Sequence, residues 1–194
     1  MDTWIWIVIA AVALIVLVAL FAGWTYRSKK RTGELRSSFG GEYDRTLSAK
    51  GNRPEAEAEL QARRKRLEAL DIRPLAADDR ERFSEEWQKT QAHFVDEPAE
   101  AVTEADQLIT EVMRVRGYPV ANFEQRASDI SVDHPEVVSN YRGARAIALA
   151  NARGEATTDD LRDAMKQYRA LFTELCAGEE DMARAGSGES APAR

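Results

Sequence analysis

The sequence predicts an all-α protein: an N-terminal transmembrane helix followed by a cytosolic bundle of five to seven helices. Three observations carry this. An uncharged apolar run of 21 residues begins at Trp4. The remainder is rich in Ala, Glu and Arg and poor in β-branched residues, a composition that favours helix. Apolar residues recur there at helical spacing between clear stop signals, with no alternating β-pattern.

The run WIWIVIAAVALIVLVALFAGW matches the length of about 20 residues that spans a bilayer core, and only a helix satisfies its own backbone in lipid. A transmembrane helix is expected over 4–26, with Trp4 and Trp6 at one interface and Trp24 and Tyr26 at the other. The run is too long, and the preceding Met-Asp-Thr too poor in basic charge, for a cleaved signal peptide. Residues 27–36 hold Arg27, Lys29, Lys30, Arg31 and Arg36 against Glu34, a net charge of +4. The positive-inside bias then places residues 1–3 outside an inner (cytoplasmic) membrane and the main domain in the cytosol. Arg27, Lys29, Lys30 and Arg31 are read as topology determinants that also contact lipid head groups.

Residues 27–41 read as a basic juxtamembrane linker, pliable at Gly40-Gly41. A helical domain is expected over 42–176 and a disordered tail over 177–194. Beyond Arg36 there are 22 basic and 31 acidic residues, a net charge of −9. That balance argues against nucleic acid, whose binding needs a basic face. Cys176 is the only cysteine, so no internal disulfide can form.

Within the domain, GEYDRTLSAK stops at Gly51. Asn52 caps the next helix, with Pro54 in its first turn and acidic residues preceding basic ones along the dipole. Its thin stripe of Leu60, Leu67 and Leu70 suggests a half-exposed helix or one that packs on a partner. After the turn at Pro74, Phe83, Trp87 and Phe94 form an aromatic stripe. Pro98 opens a helix whose Val102, Ala105, Ile109 and Val112 mark it as the most buried, and Gly117-Tyr118-Pro119 ends it. A short helix is expected from Asn122 to Asp129. Asp133-His134-Pro135-Glu136 reads as a capping box for the helix that stops at Arg153-Gly154. Thr157 with Asp160 caps a last helix carrying Leu161, Met165, Tyr168, Phe172 and Leu175.

Candidate chemistry is sparse. His134 lies among Asp129, Asp133 and Glu136, and a histidine beside carboxylates can act as a general base, but capping already accounts for these neighbours. His93 and His134 lack partners at metal-ligand spacing, so no metal or cofactor is expected. Cys176 sits at a helix C-terminus, which raises a thiol pKa. Arg63-Arg64-Lys65-Arg66 is flanked by glutamates at intrahelical pairing distance. Gly40-Gly41 lacks the Lys-Ser/Thr of a phosphate loop.

Phe39-Gly-Gly-Glu-Tyr-Asp-Arg45, Arg116-Gly-Tyr-Pro119, Phe123-Glu-Gln-Arg126 and Asp133-His-Pro-Glu-Val-Val138 resemble strings in a group of uncharacterised bacterial proteins. The resemblance covers roughly 39–176. It implies a short N-terminal anchor followed by a helical domain, and no activity. Pro is frequent in the group where this chain has Gly41.

The expected function is a membrane-tethered, non-enzymatic helical interaction module. Its partners are the bilayer and another, unidentified protein, with self-association a further route. The balance is against an enzyme. Trp87, Leu67 and His134 mark the candidate interaction surface. The alternative is an enzyme or small-ligand sensor using a pocket between helices, lined by His134, Tyr141 and Tyr118.

Overall fold

The structure is a computed structural model that describes Trp4, Leu14, residues 16–20, Arg27 and residues 30–177. Among these residues there are helices and no strand. The stretch 30–39 (α1) is helical. It is followed by α2 (Gly41–Lys50), α3 (Arg53–Glu68), α4 (Ala77–His93) and α5 (Pro98–Arg116). The series ends with α6 (Phe123–Asp133), α7 (Pro135–Ala152) and α8 (Thr158–Cys176).

Among the described residues, no helix is long and apolar enough to cross a membrane. The two longest, α5 and α8, have 19 residues each and carry charges along their outer faces. This finding overturns the single-pass expectation, and with it the inner-membrane location and the N-out topology. Of the expected anchor 4–26, Trp4, Leu14 and residues 16–20 are described, all helical and exposed. The remaining positions, Trp6, Trp24 and Tyr26 among them, lie outside the described residues, as do Lys29 and the expected tail from 178 onward.

The expected linker is also corrected. Residues 30–39 are helical, and the Gly pair is a corner rather than a flexible joint. Gly40 takes φ +48° and bonds its N–H to Arg36 O, closing α1, while α2 begins at once with Gly41. Arg31, expected to face lipid, instead lies 3.6 Å from the Glu57 carboxylate, and Lys30 lies 3.9 Å from Glu34.

The chain divides into two compact units, residues 1–57 and 58–194. In the first, Leu35, Phe39, Tyr43 and Ala56 are buried. So is Glu57, whose Oε1 accepts from the Thr32 hydroxyl at 2.7 Å and from the Tyr43 hydroxyl at 3.2 Å. A buried carboxylate persists only with such donors around it.

The second unit is built around α8, which packs on both α5 and α7; α4 covers α5, and α6 lies on α7. The inward face of α8 is Leu161, Ala164, Met165, Tyr168, Leu171, Phe172 and Leu175, a three-and-four spacing that gives one continuous stripe. Trp87 stacks on Phe172 with ring centroids 4.9 Å apart. Both Arg-Gly stops are Schellman endings. Tyr118 N–H bonds Met113 O and Gly117 N–H bonds Arg114 O; Glu155 N–H bonds Ala150 O and Gly154 N–H bonds Asn151 O. At the first of these the turn is also a close approach. Gly117 has φ +98°, and a Cβ there would meet Asp71 O at 2.4 Å.

Two boundaries differ from expectation. Asn122 caps α6 through Gln125 N–H, but α6 runs on to Asp133 rather than ending at Asp129. The Asp133–Glu136 capping box is absent: His134 holds the N-cap position of α7 without a side-chain bond. Asp133 instead accepts from the Tyr118 hydroxyl at 3.0 Å. The capping box of Thr157 and Asp160 is present in both directions.

Candidate functional site

His134 lies at the meeting point of three helix ends and is buried. The last turn of α5 brings Arg116, the α6–α7 junction brings His134, and the last turn of α8 brings Glu174. An arginine nitrogen can only donate, so the 3.4 Å contact from Arg116 Nη1 uses the lone pair of His134 Nε2. The ring proton then sits on Nδ1 and is donated to Glu174 Oε1 at 3.0 Å. Arg116 also donates from Nη1 to Leu175 O at 3.1 Å and from Nε to Arg73 O at 3.3 Å. Both ring nitrogens are engaged, and a general base needs one free towards substrate. The arrangement is a clasp.

Cys176 adjoins this clasp. Burial pushes its thiol up to about 12, with Arg116 and Arg80 opposing weakly. A thiol so placed is a packing group at neutral pH.

A second polar cluster crosses the core. Tyr168 donates to Asp106 Oδ1 at 3.0 Å, and Arg145 donates to Asp106 Oδ2 at 2.9 Å. Arg126 donates from Nε to the Tyr141 hydroxyl at 2.8 Å. Burial raises the pKa of both tyrosines, the nearby Asp106 carboxylate adding to the rise. Tyr118 is raised likewise by burial and by Asp133. These phenols stay protonated near neutral pH and act as fixed donors.

Arg66, within the basic run of α3, donates to the fully buried Asp129 at 2.7 Å, and Gln125 supplies that carboxylate with further donors. Arg63 pairs within the helix, with Glu59 at 3.1 Å. Among the described residues no group of three or more His, Cys, Asp or Glu side chains is placed to hold a metal ion.

The residues expected to form an interaction surface are placed inside. Trp87, Leu67 and His134 are 5%, 6% and 5% exposed. Their apolar or hydrogen-bonded surfaces are spent on the fold, and the stripe of α3 is buried likewise at Leu60. Tyr118 and Tyr141 are also buried. Neither of the two grooves described next is lined by His134, Tyr118 or Tyr141.

The outer surface offers a different feature. An open groove of about 380 Å³ runs between α4 and α5, lined by Glu86, Lys89, Thr90, Glu104, Gln107, Leu108 and Glu111. A second, of about 360 Å³, lies between the end of α3 and the end of α6, lined by Arg64, Leu67, Glu68, Ile72, Val132 and Asp133. Sequence reading missed the first, although its signal was present. Residues 78–111 contain eleven acidic and three basic residues, a net charge of −8 within a chain of −6. No family model matches the chain, and neither does any curated protein or solved structure.

Proposed function

We propose that the chain is a non-enzymatic helical interaction module whose partner is another protein. The observation that carries this is the segregation of charge. The α4–α5 hairpin holds eleven acidic and five basic residues, a net −6 that equals the charge of the whole chain, so the rest of the chain is net zero. Glu104 reaches His93 across the hairpin and Asp106 is held by Tyr168 and Arg145, while Asp78, Glu81, Glu85 and Glu100 are not among these pairs. Self-repulsion of that order costs stability, and a cationic partner offsets it. The reactive residue types support the same reading: His134, Cys176 and the buried Tyr118, Tyr141 and Tyr168 are engaged with the fold.

The test is photo-crosslinking of the full chain in its own cells, with a benzophenone side chain placed at Val95, Gln107 or Arg169. Val95 is 81% exposed at the hairpin tip, and Gln107 and Arg169 are exposed on α5 and α8. A protein adduct is expected from at least one position. If none forms at any of the three, the module reading falls, and a metabolite that raises the melting temperature then points to the ligand sensor.

A further inference from the structure

We infer that His134 is a proton-operated latch: neutral, it holds the ends of α5 and α8 together through Arg116, and protonated it releases them. The inference goes beyond the interaction-module reading and does not depend on it. Arg116 Nη1 makes two contacts at once, with His134 Nε2 at 3.4 Å and with Leu175 O at 3.1 Å. The first exists only while Nε2 keeps its lone pair. A proton taken up there turns the acceptor into a donor, and two cations then face each other across the same 3.4 Å. The nitrogen driven away is the one that holds the last turn of α8.

The surrounding charges set the direction. On α8, Glu174 accepts from His134 Nδ1 at 3.0 Å and favours the imidazolium, but its side chain is 43% exposed. Arg116 is buried, so its repulsion is the less screened of the two. On α6, Asp133 is engaged by Tyr118, and Asp129 by Arg66 and Gln125. Glu136, in the first turn of α7, is exposed, as are the side chains of Asp71 and Arg73 in the turn below Arg116. On α4, Arg80 donates to Leu75 O. No second carboxylate among the described residues is bonded to the ring, and the ring is too deeply buried for water to take the new N–H without movement. His93 is the contrast. It is half-buried and its Nδ1 lies against Glu104, so protonation there tightens a contact instead of breaking one.

Release strips Leu175 O of the partner that a final-turn carbonyl lacks within its own helix. The turn that then frays carries Cys176, the only cysteine of the chain. Opening takes up a proton, so acid favours the open latch.

The experiment measures labelling of Cys176 in the full chain by dithiodipyridine, a disulfide reagent that still reacts with thiols in acid. It covers roughly pH 7.5 to 5, the range in which an imidazole gains its charge. Each native rate is divided by the rate in concentrated urea at the same pH, which cancels the pH dependence of the reagent itself. The ratio should rise as pH falls, approaching about tenfold per unit, the slope of linkage to one proton. In His134→Gln it should be flat. Arg116→Gln should label faster at every pH and yet lose the slope, which separates proton linkage from a merely structural role. His93→Gln should keep the wild-type slope, and far-UV circular dichroism should show the helices intact throughout. A flat wild-type ratio overturns the inference. So does a slope that survives in His134→Gln or Arg116→Gln, or one that disappears in His93→Gln. A helix signal that falls in step with labelling overturns it too, because the opening is then global rather than local to this end.

Discussion

Arg116 donates from Nη1 to the carbonyl oxygen of Leu175 across 3.1 Å, tying the last turn of α5 to the last turn of α8. The last carbonyls of a helix have no partner within it, and here a side chain 59 residues earlier in the chain supplies one. The same guanidinium holds Arg73 O and the His134 ring. One buried cation thereby fixes four segments that converge at this end of the second unit.

Removing that cation leaves His134 and two carbonyls short of a donor. Arg116→Ala should therefore lower stability by roughly 2–4 kcal/mol, the order of one unsatisfied buried acceptor plus lost charged hydrogen bonds. Arg116→Lys should recover only part of this, because an ammonium cannot fork between three acceptors. Urea unfolding of the full chain measures it as a lower midpoint at unchanged slope. A midpoint within error of wild type for Arg116→Ala would show that the clasp contributes nothing.

Gly117 and Gly154 end their helices by the same motif, and they should respond differently to alanine. Gly154 has φ +72° with open space around a notional Cβ, so Gly154→Ala meets only the left-handed penalty of about 1–2 kcal/mol. Gly117→Ala adds a 2.4 Å encounter with Asp71 O, a backbone atom held where Arg73 N–H bonds Arg116 O at 3.0 Å. It should cost at least twice as much as Gly154→Ala. Paired thermal melts decide this, and equal losses would mean that the 71–73 turn yields freely.

These contrasts bear on what the sequence could reveal. Capping by Thr157 and Asp160, the Gly117 and Gly154 stops and the α8 stripe are local patterns, and local spacing suffices to find them. The Asp133 cap failed because its competitor, the Tyr118 hydroxyl, comes from the preceding helix–loop segment 15 residues away and captures the carboxylate. The α1 helix was hidden because Gly40-Gly41 reads as a hinge, while only Leu35 and Phe39 mark its buried face. Trp87 looked like a docking residue only until α8 placed Phe172 against it. The groove was legible as charge but not as shape, because the charge count needs one segment and the cavity needs two helices side by side.

Cys176 should be nearly inert in the folded chain. Its ordinary value of 9.0 is pushed up to about 12 by burial, with Arg116 the larger of two weak opposing influences. At pH 8 the thiolate population then falls about a thousandfold, and the thiolate is the reactive species. Labelling with iodoacetamide should be slow in buffer and fast in concentrated urea. In Arg116→Ala the native rate at a given pH should not rise unless the clasp has opened, since removing a cation disfavours thiolate. Rapid native labelling of wild type would show Cys176 to be accessible.

The rim of the acidic groove should carry a second pH response. His93 Nδ1 lies 3.0 Å from Glu104 Oε1, and that hydrogen bond raises its pKa above 6.5, partly offset by desolvation and reinforced by the charges of Glu104, Glu100 and Glu97. A raised folded-state value means that the native chain binds the proton more tightly than the unfolded chain. The resulting stabilisation is fully present below about pH 6.5 and is lost as pH rises through the folded value. It depends on an exposed pair and is screened by salt. NMR titration can follow it directly, because His134 is the only other imidazole. The His93 midpoint should lie above 6.5 in wild type and return towards it in Glu104→Gln. An unshifted His93 titration would show that the pair with Glu104 does not hold in solution.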